Sequence, residues 1–329
     1  MGQAGPPPSD GLAVGVDVGG TKTMAGLVAG DGRILRRLRR DTPAHDPDGI
    51  VRLVADVVGE LRGEPEAGGA PVGVGAAGMV DLVGVMRYAP NLDWRDFPLR
   101  AGLVKLLGDD VWVENDANVA AWGEFRAGAG VDARSSMLML TVGTGVGSGL
   151  VLGGQLVRGR GGLATEFGHL IVAEGARRCG CGNLGCLEAM ASGTAIGRMA
   201  QESLDSGEVP ADSLLQRSGA PTGRSVTRAA EAGDAFASEV LARCGFWLGV
   251  GIASLVAGLD PEIVVVGGGV IETGERLLEP ARRAYAPRVM GHDHRDLPAV
   301  VEARLGDDAG LVGAALIALD ERRRGQSAL

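Results

Sequence analysis

Three glycine-rich turns, each directly after a short apolar segment with strand character, constrain this chain more than any other feature. The first begins at Gly19, the second at Gly143 and the third at Gly267. In parallel α/β sheets, ligands bind beyond the carboxyl ends of the strands. Glycine lets backbone N–H groups approach a phosphate closely. The three turns therefore favour one nucleotide held by several loops over three unrelated turns.

A weak internal echo indicates how such turns are arranged in the fold. Residues 16–21 and residues 140–145 each place a Gly/Thr turn between one predicted strand and the next. Two similar halves of this kind predict an α/β protein with two lobes and a cleft between them.

Local patterns predict the individual elements. Apolar and alternating runs predict strands over residues 12–18, 24–28, 34–38, 71–76, 111–114, 137–142, 146–152 and 263–266. Helical spacing predicts helices over residues 50–61, 117–127 and 308–319, and mainly helix between residues 194 and 259. Asp46 or Asp48 is the expected cap of the first helix. Residues 1–10 are short, Pro-rich and polar, which predicts a disordered tail.

Charge and composition exclude several classes of protein. The formal net charge is −9 and the apolar share is 45%, so we expect a globular protein that does not bind nucleic acid by neutralising phosphates. Any phosphate must be held by local devices such as N–H groups or a metal ion. The uncharged stretch 244–259 is shorter than the roughly 20 residues of a membrane span. We therefore expect a buried helix there, and a cytoplasmic protein without a membrane partner.

The first turn carries chemistry around Asp17. A carboxylate at a strand end can hold Mg²⁺-bound water, and the pair Gly19-Gly20 opens the backbone to a phosphate. The spacing to Lys22 matches neither a Walker A loop nor a dinucleotide fingerprint. A plain β-turn with a solvated lysine is the alternative. A tight hairpin is likewise the alternative for the second turn, residues 141–149.

Asp116 follows the strand over residues 111–114 and precedes a helix. Its position makes it a plain helix N-cap on one interpretation. On the other, it is a general base that accepts a proton from a substrate hydroxyl.

A cluster of cysteines predicts a metal centre. Cys179, Cys181 and Cys186 fall within eight residues, and His169 lies upstream of them. Three cysteines and one histidine form a common structural zinc set. A disulfide is disfavoured, because an odd number of clustered thiols pairs badly and cytosolic disulfides are rare. Cys244, inside an apolar segment, is expected to pack as a small hydrophobic residue.

Together these segments resemble the ROK family of sugar kinases, within the actin-like ATPase superfamily, over about residues 11–320. The zinc element is the most specific match. The matching segments are Glu166-Phe167-Gly168-His169, Cys179-x-Cys181-Gly182-x-x-Gly185-Cys186-x-Glu188, Asp17 to Thr21, residues 141–147, residues 75–81 and Asn91-Leu92-x-Trp94. Many members have Pro where Ala77 stands, a departure that resembles glucokinases of the actinobacterial type.

The resemblance implies a two-lobed actin-like (ribonuclease H-like) fold, phosphorylation of glucose at the 6-hydroxyl by ATP, and Asp116 as the base. The implied sugar ligands are Gly78, Asn91, Asn115, Asp116, Glu166, His169 and Glu188. The implied phosphate and nucleotide ligands are Asp17, which would serve Mg²⁺, and Gly19, Gly20, Thr21, Lys22, Thr144, Gly145, Gly267, Gly268 and Gly269. A structural zinc ion on His169, Cys179, Cys181 and Cys186 would orient the sugar site.

The resemblance also implies a small lobe of residues 11–117 and 309–329, a large lobe of residues 118–308 with the zinc loop, and a homodimer or homotetramer. A fructokinase or an N-acetylhexosamine kinase is the alternative within the family, and polyphosphate is an alternative donor. A sugar-responsive repressor is expected less, because only about ten residues precede the first strand, too few for a helix-turn-helix domain.

Overall fold

A computed structural model of the chain describes residues 11–89, 92, 94–108, 110–217 and 219–327. It divides into two compact units. The first unit is built from Met1–Leu138, Gly149–Thr165 and Ala303–Leu329, and the second from Met139–Ser148 and Glu166–Glu302. These bounds differ from the predicted division at residues 117 and 309. The predicted tail, residues 1–10, lies outside the described residues.

The elements alternate between strand and helix along much of the chain. The strands are β1 (Leu12–Val18), β2 (Lys22–Ala29), β3 (Ile34–Asp41), β4 (Val72–Ala76), β5 (Met79–Val80), β6 (Met86–Ala89), β7 (Trp94–Phe97), β8 (Val111–Asn115), β9 (Met137–Val142), β10 (Val146–Leu152), β11 (Gln155–Leu156), β12 (Ile263–Gly267) and β13 (Ala299–Glu302). The helices are α1 (Pro47–Arg62), α2 (Leu99–Leu107), α3 (Asp116–Ala127), α4 (Leu187–Ala191), α5 (Gly193–Asp205), α6 (Gly223–Glu231), α7 (Ala235–Leu259), α8 (Glu275–Tyr285) and α9 (Ala309–Ser327). All the predicted strands and helices are present, and Asp46 caps α1 by accepting a hydrogen bond from the Gly49 N–H.

The sheet of the first unit has the strand order β3-β2-β1-β4-β8. β1, β4 and β8 are parallel, and their registers pair Val18 with Ala76 and Ala76 with Asn115. The carboxyl ends of these three strands therefore lie side by side at one edge of the sheet. Side chains just beyond that edge are the ones that a ligand of such a sheet would meet.

Helix α9 packs directly on this sheet through glycine. A Cβ atom at Gly15 of β1 would lie 1.8 Å from the Leu311 carbonyl oxygen, and one at Gly73 of β4 would lie 1.8 Å from that of Ala314. Only glycine allows a helix backbone to approach two strands so closely. The last predicted helix, expected over residues 308–319, is therefore α9 and belongs to the first unit.

Helices α3 and α9 also touch backbone to backbone. A Cβ atom at Gly313 would lie 1.6 Å from the Val119 carbonyl oxygen, and one at Gly123 would lie 2.6 Å from that of Ala309. The contact fixes α3, and hence its first residue Asp116, against the same helix that holds the sheet.

Several elements had no clear sequence signal. The strands β5, β6 and β7 form a separate small antiparallel sheet, in which Trp94 and Phe97 stack with ring centroids 5.6 Å apart. Helix α8 contains Pro280, and β13 is four residues long. Short strands and a proline inside a helix are patterns that local spacing does not reveal.

The second sheet has the strand order β11-β10-β9-β12-β13, with β12 and β13 parallel. In the second unit α7 packs on α8 through Gly245 and Gly249, whose Cβ atoms would lie 2.4 and 2.2 Å from carbonyl oxygens of α8. Of the helices described, α7 is the one long and apolar enough to cross a membrane, but 61% of its most apolar window is buried inside the protein. This is a core helix, longer than the predicted segment 244–259.

The close contact between α3 and α9 can be tested at Gly313. We expect Gly313→Ala to lower the free energy of unfolding by about 1–3 kcal/mol or more, because the new methyl group forces the two backbones apart. Gly325→Ala is the matched control in the same helix, since a Cβ atom there meets nothing within 4 Å and alanine favours the helix. Urea denaturation of both variants measures the difference, and equal stability of the two would contradict the packing described.

Candidate functional site

At the carboxyl edge of the first sheet, Asp17 of β1 is the central acidic group. Burial, and then the negative charge of Asp116, raises the pKa of Asp17 to about 7, against the opposing effect of Lys22. Asp307 adds to the rise. A buried carboxylate with acidic neighbours gains stability from a bound cation, so the residue fits the predicted Mg²⁺ role.

The first glycine turn joins β1 to β2. The Gly19 N–H donates to the Lys22 carbonyl at 3.0 Å, so this donor closes the turn itself. The Lys22 ammonium lies 2.7 Å from a carboxylate oxygen of Asp307. Gly20 and Thr21 form the tip of the turn. The structure therefore brings Asp17 and Lys22 to one edge of the first unit, as the motif predicts.

The start of α3 differs from the expected arrangement. Asn115, and not Asp116, is the N-cap: its side-chain oxygen accepts from the Asn118 N–H at 3.0 Å. The helix-cap interpretation of Asp116 is therefore wrong. Asp116 is the first helical residue, and its Oδ1 accepts hydrogen bonds from the Ala117 N–H and from the Asn115 Nδ2, both at 2.9 Å. These two donors fix the orientation of the carboxylate.

Asn115 also reaches the loop after β4. Its Nδ2 donates to the Gly78 carbonyl at 2.9 Å. Gly78 has φ +147°, and a Cβ atom there would lie 2.6 Å from the Tyr88 carbonyl oxygen, so glycine is required by space as well as conformation. Asn91, another predicted sugar ligand, lies outside the described residues.

In the second unit, the turn over residues 143–145 is held by the start of α5. The Gly193 N–H donates to the Gly143 carbonyl at 2.8 Å, and the Thr194 hydroxyl donates to the Thr144 carbonyl at 2.8 Å. These bonds fix the turn against a helix N-terminus, where backbone N–H groups favour anions.

The same helix end borders a cavity of about 900 Å³ within the second unit. Thr144 and Gly269 are the predicted ligands that line it. The full lining comprises Gly143, Thr144, Gly193, Thr194, Gly197, Arg198, Gln201, Ala220, Pro221, Thr222, Gly223, Arg224, Thr227, Gly269, Val270 and Glu272. Its size suits a drug-sized ligand such as a nucleoside.

Most of that lining was missed by the sequence analysis. The helix starts Ser192-Gly193 and Thr222-Gly223 are the available signal, because each pairs a capping residue with glycine. A Cβ atom at Gly223 would lie 2.6 Å from the Gly193 carbonyl oxygen. Glycine at position 223 therefore allows the two helix N-termini to meet at the cavity.

Three other predicted nucleotide ligands of the second unit do not line this cavity: Gly145, Gly267 and Gly268. Gly268 has φ +86°, and a Cβ atom there would lie 2.6 Å from the Val142 carbonyl oxygen. Its glycine is therefore required by close packing of β12 against β9. A Cβ atom at Gly145 would lie 2.2 Å from a carboxylate oxygen of Glu188.

The four predicted metal ligands come together as expected. The ligand atoms of His169, Cys179, Cys181 and Cys186 all lie within 4.8 Å of one another. The His169 Nδ1 is 3.6 Å from the Cys179 Sγ, and the Sγ atoms of Cys181 and Cys186 are 3.6 Å apart. Tetrahedral zinc with bonds of about 2.3 Å to sulfur requires sulfur–sulfur distances of about 3.8 Å. The thiols are free rather than paired in disulfides, so the residues fit zinc.

The loop that carries the cysteines depends on glycine at two turns. Gly182 has φ +97°, and Gly185 has φ +77° with a Cβ position 1.7 Å from the Ala173 carbonyl oxygen. Burial raises the pKa of Cys179 to about 12 and also raises the pKa of Cys186, whereas the Asn183 N–H lowers the pKa of Cys181. A bound cation would stabilise the thiolates that burial disfavours.

Two carboxylates stand beside the cysteine cluster. Glu188 accepts from the Val146 N–H at 3.0 Å, and its other oxygen lies 3.4 Å from the Cys179 Sγ. Glu188 therefore connects the metal cluster to the end of the second glycine turn. Burial raises the pKa of Glu166, an effect that His169 opposes and Glu188 reinforces.

Comparisons with known proteins agree with this geometry. A family model described as "ROK family" matches residues 13–321. A glucokinase of Streptomyces coelicolor is 40% identical over 94% of this chain and 98% of its own length. An N-acetylmannosamine kinase of Escherichia coli is 36% identical over 93% and 98%.

A solved structure extends the likeness to the fold. The crystal structure of a ROK family glucokinase from Streptomyces griseus, in complex with glucose and AMPPNP, is 40% identical to this chain, with a TM-score of 0.81. The match covers 94% of this chain and all of that one. The chain therefore belongs to the ROK family and has the two-lobed, actin-like fold of its sugar kinases.

Proposed function

We propose that this protein is a glucokinase, which transfers the γ-phosphoryl group of ATP to the 6-hydroxyl of glucose. The observation that carries the proposal is the position of Asp116. Its carboxylate stands at the carboxyl edge of the first sheet, next to the charge of Asp17, and the capping of α3 is left to Asn115. The glucokinase relatives at 40% identity support glucose as the substrate.

Asp116 acts as the general base in this proposal. It accepts the proton of the glucose 6-hydroxyl while the oxygen attacks the γ-phosphorus and ADP leaves. The hydrogen bonds from Asn115 and Ala117 hold Oδ1 of this carboxylate in place. Phosphoryl transfer depends mainly on positioning and charge stabilisation, and a base of this kind adds about 10²- to 10⁴-fold.

The phosphates are assigned to the glycine turns. We assign Gly19, Gly20, Thr21 and Lys22 of the first unit, and Thr144, Gly145 and Gly267 to Gly269 of the second, to the phosphates and the nucleotide. Asp17 would hold Mg²⁺, which when bound neutralises charge on the phosphate oxygens. The cavity bordered by Gly193 and Gly223 is assigned to the nucleoside.

The sugar hydroxyls are assigned to polar groups of both units: Gly78, Asn91, Asn115 and Asp116 of the first, and Glu166, His169 and Glu188 of the second. His169 directs Nδ1 toward the cysteines, and we assign its Nε2 to a sugar hydroxyl. A zinc ion held by His169 and the three cysteines would lock the imidazole in one orientation.

An N-acetylmannosamine kinase is the second candidate, supported by the relative at 36% identity. The glucokinase relatives are more similar, at 40%. A sugar sensor without turnover is less well supported, because Asp17, Thr21 and Asp116 are all present. We further propose a cytoplasmic homodimer or homotetramer that, with a net charge of −9, does not bind nucleic acid.

A panel of sugars and donors tests the substrate assignment. We expect glucose with Mg-ATP to give the highest kcat/KM, measured as sugar 6-phosphate formed, over fructose, N-acetylglucosamine and N-acetylmannosamine. Polyphosphate replaces ATP in a parallel series. A higher kcat/KM for N-acetylmannosamine would support the second candidate, and no turnover of ATP with any sugar would support a sensor.

Replacement of the base tests the mechanism. We expect Asp116→Asn to bind glucose with little change in Kd but to lose about two decades or more of kcat, because the amide cannot accept the proton. Calorimetry gives the Kd and a coupled assay gives kcat. Asp132→Asn, at an exposed carboxylate of the same unit, is the control. Turnover of Asp116→Asn within about threefold of the parent would exclude Asp116 as the base.

The metal assignment is tested at the exposed cysteine. We expect Cys181→Ser to lose zinc, measured by plasma mass spectrometry, and to bind glucose more weakly because His169 loses its anchor. Cys244→Ala removes the buried thiol of α7 and should keep the metal. Parent protein purified without chelators that contains no zinc would refute the assignment.

A further inference from the structure

An ion pair between a buried carboxylate and a partly buried guanidinium lies at the start of α3. The Glu114 side chain on β8 is 9% exposed, and the Nε of Arg158 donates to its Oε2 at 2.5 Å. The two residues are 44 positions apart in sequence. The proposed chemistry assigns neither of them a role.

The second oxygen of Glu114 holds the turn that carries the base. Oε1 accepts from the Asn115 N–H at 3.0 Å and from the Asn118 Nδ2 at 3.0 Å. Asn115 and Asn118 are themselves joined by the N-cap hydrogen bond. The Glu114 carboxylate is thus hydrogen-bonded to residues on both sides of Asp116 in the sequence.

Arg158 secures this carboxylate from the opposite side. Its guanidinium also reaches Glu321 of α9, with a distance of 3.4 Å between Nη2 and Oε1. The Arg158 carbonyl accepts from the Ala164 N–H at 3.1 Å, which closes its own loop. Asn118 receives a further hydrogen bond from the Thr165 hydroxyl at 3.4 Å. The start of α3 is therefore tied to a loop and to α9 by charged groups.

The charge of Arg158 is required in this place. A buried carboxylate without a partner is costly, and removal of one member of a buried pair leaves the other charge uncompensated. Without Arg158, Glu114 loses the partner of its Oε2 and is free to turn toward water. That movement would weaken its hydrogen bonds to Asn115 and Asn118.

We propose that Glu114 and Arg158 are positioning residues for phosphoryl transfer: the pair fixes the turn of residues 114–118 and so orients the Asp116 carboxylate. The inference rests on the proposed function, in which Asp116 is the base. Neither residue is assigned a contact with substrate. Their effect on the reaction therefore passes entirely through Asp116 and its neighbour Asn115.

This route has a measurable signature. Misplacement of a reacting group by about 1 Å can cost about 10²-fold in rate. We expect Arg158→Gln to lower kcat at least about tenfold, with KM for ATP within about threefold of the parent. Groups that act as one unit have non-additive effects. In the Asp116→Asn background, Arg158→Gln should therefore lower the residual kcat by less than about threefold.

The experiment compares four proteins: the parent, Arg158→Gln, Asp116→Asn and the double variant, each assayed below its melting temperature and normalised by glucose binding. Arg126→Gln is the matched control, because it breaks another buried pair, with Asp320, at the other end of α3. Its kcat should stay within about threefold of the parent. Arg158→Lys keeps the charge and should retain more turnover than Arg158→Gln.

The outcomes separate the two hypotheses. An equal loss from Arg158→Gln in both backgrounds, or a kcat near the parent value, would overturn the positioning role while leaving Asp116 as the base. An unimpaired Asp116→Asn would instead overturn the base assignment. If Arg158→Gln does not fold, Arg158→Lys and Glu114→Gln are compared in the two backgrounds by the same criterion.

Discussion

The structure of the first unit depends on close backbone contacts of α9 that only glycine permits. Gly15 and Gly73 let the helix backbone lie directly on β1 and β4, and Gly313 lets it meet α3. Any side chain at these positions would occupy the space of a carbonyl oxygen. The helix thereby fixes two things at once, the sheet edge that presents Asp17 and the helix that begins with Asp116. Backbone packing therefore places the elements that carry the acidic groups proposed for catalysis, and hydrogen bonds at the start of α3 then orient the Asp116 carboxylate.

In the second unit, the cluster of His169 and three cysteines connects the residues assigned to the sugar with those assigned to the phosphates. Glu188 touches the Cys179 sulfur with one oxygen and the Val146 N–H with the other. A metal held by the cysteines would therefore also stabilise the end of the turn assigned to the phosphates. His169 joins the same cluster through Nδ1. One ion in this position would order groups assigned to sugar and to nucleotide, without taking part in the chemistry.

The sequence predicted the features that depend on local pattern. It did not predict those that form only when distant segments pack together. Periodicity and spacing predicted the strands of the first sheet, narrowed the cap of α1 to Asp46 or Asp48, and grouped the four side chains of the cysteine cluster, which the structure brings together. A helix cap was one of the two interpretations of Asp116, but Asn115 is the N-cap. Adjacent Asn and Asp are both good caps, and local sequence does not separate them. The cavity at Gly193 and Gly223 requires two distant helix starts to meet. The pair of Glu114 and Arg158 likewise depends on the return of the chain after β11.

The division of the first unit into three separate segments has a consequence for synthesis on the ribosome. The sheet formed by residues 12–115 emerges early, but the helix that covers Gly15 and Gly73 belongs to residues 309–327. Until those residues emerge, one face of the sheet is bare and its apolar strands are exposed to other chains. Most of the second unit is one continuous segment, Glu166–Glu302. This unit can therefore fold before the first unit is complete. The unit that begins the chain is therefore completed last.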